Sequence, residues 1–159
     1  MDDLLQFLRA RLDEDEQAAR AATWDEWDSA HWTAHHRAQY DGRWVIVDHA
    51  EEGVTELTPH AADDAGVAQH IARHDPARVL REVEAKRRRL TRHVPERRRL
   101  TLLDVNGSAT SFGFYVCTSC TPNRTIEHGQ EVVEWPCPDV LDDALPYADH
   151  PDYRPDWRP

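Results

Sequence analysis

Cys117, Cys120 and Cys137 are the only cysteines of this 159-residue chain, and they fall within one short stretch. Two thiols two residues apart form a knuckle that presents both sulfurs to one ion. A third, returning after a loop, supplies another corner of a tetrahedron. The pattern points to a structural Zn(II) site that lacks one declared ligand. His128, inside the loop between the knuckle and Cys137, is the nearest histidine in sequence. His70 and His74, one helical turn apart, are the alternatives, and His150, set before a proline in the tail, is a weaker choice.

Competing chemistries leave fainter marks. A redox-active Cys117-Thr118-Ser119-Cys120 would need a helix N-terminus to lower its leading thiol pKa. The polar stretch between Pro122 and Gly129 offers no long helix for that. His70 and His74 have the spacing of a zincin helix, but Ile71 stands where the catalytic glutamate should follow the first histidine. The plainer reading turns His70 inward beside Val67 and Ile71. No Ser/His/Asp motif, phosphate-binding glycine loop or dinucleotide fingerprint is present, and six glycines leave little room for one. A metal-dependent enzyme ranks last, because three cysteines leave little space for a water-bearing metal.

The elements that must position these residues follow from the apolar pattern. Leu4, Leu5, Leu8 and Leu12 recur at helical spacing and predict an N-terminal helix over residues 1–22. A tryptophan-rich region, 23–60, contains two β-type runs at 44–48 and 53–57 that read as a hairpin, with the tryptophans packing it onto the first helix. Residues 63–95 form a basic helical segment, kinked at Asp75-Pro76, where the aspartate can cap a new helix and the proline fits its first turn. Residues 100–159 hold two strands about Asn106-Gly107, a favoured hairpin turn, then the cysteines, a short helix near 139–145 and an extended proline-rich tail. The expectation is a single α+β domain over 1–159: an N-terminal helix, small antiparallel strands, a central kinked helical segment and a C-terminal knuckle-like cysteine element.

Charge is segregated beneath a net −11. Residues 1–65 carry 16 acids and 5 bases, 66–99 carry 4 and 11, and 100–159 carry 10 and 3. Arg81, Arg88, Arg92 and Arg98 are the candidate partner-binding residues of the basic segment. A protein partner is expected first and nucleic acid second, since an acidic protein attracts a polyanion weakly at long range. No apolar run reaches membrane-spanning length, and the acidic Met1-Asp2-Asp3 start lacks the order of a signal peptide. A cytoplasmic, reducing setting is therefore expected, where a cysteine cluster reads as a metal site before a disulfide framework.

Three blocks carry a family resemblance: residues 1–16 (MDDLLQFLRARLDEDE), 70–87 (HIARHDPARVLREVEAKR) and 145–159 (LPYADHPDYRPDWRP). The chain resembles an actinobacterial family of small proteins classed as a domain of unknown function, found in chromosomes and in mobile or phage-derived regions. The resemblance implies a bacterial cytosolic protein and no particular activity. Many members of that family lack the cysteine triplet, so the resemblance makes the metal site an elaboration of the scaffold.

Overall fold

A computed structural model describes residues 2–24, 28–37, 42–57, 64–103, 106–121 and 132–159. The fold is α+β, and the chain divides into two compact units, one of residues 12–84 and one of residues 1–11 with 85–159. Helix α1 (Asp2–Ala21) contributes to both, as does α3 (Pro76–Arg92). Among the described residues no helix is long and apolar enough to cross a membrane.

In the unit of residues 12–84, β1 (Thr33–Arg37), β2 (Arg43–Val47) and β3 (Gly53–Glu56) form an antiparallel sheet in that order. The β2–β3 hairpin is the one the sequence predicts. Its turn is closed by the buried Asp48, whose Oδ1 accepts the backbone N–H groups of Ala50 and Glu52, each at 2.9 Å. β1 is additional: Thr-Ala-His-His-Arg has no apolar alternation, and it is recruited by pairing with the apolar β2.

Helix α2 (Asp64–Arg73) lies on this sheet through its alanines. Ala68, Ala72 and Ile46 form the buried cluster, bordered by Trp32, Trp44, Val54, Leu57 and Ile71. Two expectations need correcting here. Trp32 and Trp44 pack the sheet onto α2, while Trp24 is exposed. The inward face of α2 is also not the one carrying Val67 and His70, both of which are exposed. Methyl side chains bring a helix closer to a sheet than valine or histidine can, so the alanines take the buried positions. Asp75 then caps α3, its Oδ1 accepting the Arg78 N–H at 2.7 Å, with Pro76 opening the helix.

In the other unit, β4 (Pro95–Leu103) and β5 (Ala109–Cys117) pair in register from Pro95↔Cys117 to Leu103↔Ala109. Gly107 takes a positive φ of 79° in the connecting turn, which glycine adopts without a Cβ penalty. β4 starts at Pro95, five residues before the predicted strand. On the free edge of β5, Cys117 N–H donates to the Val133 carbonyl and Trp135 N–H to the Tyr115 carbonyl. Residues 133–135 thus add a short third strand, bridged at Val116↔Glu134.

Helix α4 (Pro138–Ala144) follows, then a tail that is folded where an extended segment was predicted. Phe7 of α1 is ringed by Tyr147, His150, Tyr153 and Trp157 at centroid distances of 5.0–6.2 Å. Arg11 hydrogen-bonds to His150, and Arg154 pairs with Asp3. Aromatic burial and edge contacts on this scale hold the tail to the first turns of α1.

Candidate metal centre

His93 follows the last residue of α3, its N–H still donating to the Arg89 carbonyl at 2.9 Å. Two residues later β4 begins, and the hairpin register places Cys117 opposite Pro95. The knuckle is locked to this joint twice: Thr118 N–H donates to the Val94 carbonyl at 3.0 Å and Thr118 Oγ1 to the Arg92 carbonyl at 3.1 Å. Thr121 N–H closes the knuckle turn on the Cys117 carbonyl at 2.9 Å. The buried Thr121 hydroxyl accepts Val133 N–H at 2.9 Å, which ties the knuckle to the third strand. Cys137 sits just before α4, where its carbonyl accepts the N–H groups of Val140 and Leu141, and Pro138 fixes the first helical turn.

These supports bring four ligand atoms together. His93 Nδ1 lies 3.4 Å from Cys137 Sγ, 3.5 Å from Cys117 Sγ and 3.6 Å from Cys120 Sγ. All four atoms lie within 4.8 Å of one another, a group that could hold a metal ion. A tetrahedral ion with metal–sulfur bonds of about 2.3 Å and metal–nitrogen bonds of about 2.0–2.1 Å sets sulfur–nitrogen edges of about 3.5 Å. The three observed separations match that edge. Cys117 and Cys137 are fully buried, His93 is nearly so, and Cys120 is partly exposed.

The electrostatics suit a cation. Burial pushes the Cys137 thiol up to about 12, with a further push from Cys117 against the opposing hydrogen bond from Val140. Cys120 is also raised, first by burial and then by Cys117. Thiolates crowded together in a low-dielectric site disfavour one another, and a bound metal is what draws their protons off. The carboxylate of Asp139 stands at the rim, 3.6 Å from His93 Nδ1 and half exposed. Nearby, buried Asp143 accepts Arg89 Nη1 at 2.8 Å; burial raises its carboxyl and Arg89 opposes that shift.

The residues singled out from sequence fall into separate places. The three cysteines meet, and the histidine that meets them is His93, which sequence reasoning missed. The expected fourth ligand His128 lies outside the described residues. His70 and His74 are in α2, in the unit of residues 12–84, with ring centroids 4.3 Å apart and His74 Nδ1 donating to the His70 carbonyl at 2.8 Å. His150 is engaged with Arg11 and Phe7.

Of the four arginines read as a partner surface, Arg81, Arg88 and Arg92 are exposed and share one stripe of α3 by their spacing of seven and four. Arg98 is different. It is buried, and its Nη2 donates to the Thr121 carbonyl at 3.1 Å and to Glu96 at 3.3 Å, so it supports the knuckle from inside.

No curated protein and no solved structure matches the chain. Residues 1–159, with the cysteine and histidine cluster among them, match the family of unknown function DUF6221 from end to end, and the chain belongs to that family.

Proposed function

We propose that this protein is a non-enzymatic interaction module whose cysteine-bearing unit is stabilised by structural zinc, bound through Cys117, Cys120, Cys137 and His93. The observation that carries the reading is the set of three nitrogen–sulfur distances, 3.4, 3.5 and 3.6 Å, around one histidine nitrogen. Three thiolates and one imidazole in a tetrahedron favour zinc among the common ions. Four protein ligands also leave no position for a reactive water. The three thiols are free of disulfides, which suits a reducing, cytoplasmic setting. The unit of residues 12–84 contains 17 acids and 6 bases, a difference equal to the whole chain's net charge of −11. Such a surface suits a basic protein partner. The exposed stripe of Arg81, Arg88 and Arg92 favours a second reading, a nucleic-acid-binding accessory protein.

Metal analysis of the purified full chain tests the zinc. About one zinc per chain is expected, lost in Cys137→Ser and in His93→Ala, the stoichiometry of a four-ligand structural site. Cobalt substituted for zinc should give the intense visible absorption of a tetrahedral thiolate site. Affinity should weaken as pH falls, because each bound thiolate must first lose a proton. Metal-free protein with three freely titrating thiols and an intact fold would overturn the proposal.

A further inference from the structure

Arg97, Arg98 and Arg99 are consecutive, yet strand alternation gives them different surroundings. Arg98 turns inward to hold Thr121. Arg97 and Arg99 emerge on the other face of β4, exposed, with no hydrogen bond or ion pair among the described residues. Cross-strand pairing sets Tyr115 opposite Arg97 and Gly113 opposite Arg99. Tyr115, two residues before the end of β5, is 38% exposed. On its other side lies Trp135, in the short third strand.

Gly113 explains how this face is built. A Cβ added there would sit 3.1 Å from Arg97 Nε and 3.2 Å from Arg97 Nη2. The Arg97 guanidinium therefore crosses to β5 and lies over the bare backbone of Gly113, next to Tyr115. Glycine inside a strand weakens it and often marks a site where another group approaches closely. Here the Arg97 guanidinium takes the space a side chain would fill, which keeps it on the same face as Arg99 and the Tyr115 ring.

We infer that this face, centred on Tyr115 with Arg97 and Arg99, binds single-stranded nucleic acid. A base stacks on Tyr115 while the two arginines hold adjacent phosphates. The inference rests on the zinc reading, since the centre fixes the end of β5 and the joint from which β4 starts. An exposed aromatic ring on a flat sheet is accessible to an unstacked base, and arginines beside it add backbone contacts. A duplex keeps its bases stacked on one another and leaves no free base face for the Tyr115 ring. The unit that carries the face has 13 acids and 13 bases, so long-range attraction contributes little. Stacking has to supply most of the affinity.

Fluorescence anisotropy with short labelled oligothymidylate and oligouridylate tests this on the zinc-loaded full chain. Binding is expected at low salt with a shallow salt dependence. Tyr115→Ala should weaken it about tenfold or more, the range for loss of a stacked base. Tyr115→Phe should restore it. Arg97→Gln with Arg99→Gln should weaken binding and flatten the salt slope further. Zinc content measured on each variant separates the two ideas: full zinc with lost binding supports this face, whereas lost zinc in the wild type sinks the zinc reading itself. The inference is overturned if zinc-loaded protein binds neither oligomer, or binds duplex as tightly. It is also overturned if Tyr115→Ala binds like the wild type while Arg81, Arg88 and Arg92 variants lose binding, or if an acidic peptide competes equally well.

Discussion

In the unit of residues 12–84, Ile46 meets Ala68 and Ala72 beneath Trp32 and Trp44, and the apolar contact closes the sheet against α2. In the other unit, the buried residues around the end of β5 include Cys117, Cys137, His93, Thr121 and Arg98. The first cluster needs no ligand, because its burial is favourable in itself. The second gathers an imidazole and a guanidinium, groups that are costly to bury unless something satisfies them, beside thiols whose metal-binding thiolate form burial disfavours. Hydrogen bonds engage the Thr121 hydroxyl and Arg98 Nη2; a metal would satisfy the sulfurs. The acidic unit thus centres on hydrocarbon, whereas the electrically balanced one adds polar chemistry at the end of β5 to the apolar packing around Phe7.

That contrast is easiest to break at Cys137. Cys137→Ser should destabilise the cysteine-bearing unit by several kcal/mol, on the order of a structural zinc's contribution to folding. Amide hydrogen exchange should then quicken in β4, β5 and α4 while β2 and α2 stay protected. Equal loss of protection in both units would erase the distinction. The metal-free protein should also respond to alkali. A Cys137 thiol at about 12 in the fold, against an ordinary 9.0, supports the fold below pH 9 and withdraws that support as pH climbs towards 12.

A smaller effect should come from the hydrocarbon side. Ile46→Ala removes a fully buried side chain and should cost about 2–5 kcal/mol in chemical denaturation. Zinc content should be unchanged, and a drop in bound metal would show that the two clusters are not independent. Smallest is the helix cap. Asp75→Ala should cost about 1 kcal/mol and Asp75→Asn much less, since asparagine also accepts the Arg78 N–H. Equal losses would mean that charge, and not the capping bond, matters at that position.

Local chemistry was legible in the sequence wherever it decides structure alone. Asp75-Pro76 announces a helix start, Asn106-Gly107 a hairpin, and Cys117-x2-Cys120 a knuckle. What stayed hidden depends on register. Counting outward from the Asn106-Gly107 turn sets Cys117 opposite Pro95 and brings His93 beside the knuckle. That signal was present, but using it requires β4 to begin at Pro95, inside what reads as the end of a basic helix. Arg98 was hidden for the same reason, since charge pattern makes it a surface residue and only strand alternation buries it. On α2, hydrophobicity favoured Val67 over Ala68 as the inward residue, whereas close packing on the sheet selected the smaller side chain.

The separations along the chain carry a consequence for how the centre assembles. His93 is 24 positions from Cys117 and 27 from Cys120, and the hairpin between them can zip from its own turn, one neighbouring pair at a time. Cys137 is 44 positions from His93 but 17 from Cys120, and among the described residues it is led to the hairpin by the short 133–135 pairing alone. Its loop back to the knuckle is no longer than the hairpin's, and what delays it is that fewer pairings among the described residues guide it home. Three ligands are therefore gathered early by a local element, and the fourth arrives late. An ion bound here would meet a three-point grip first and a final latch after it, with Cys137 as the latch.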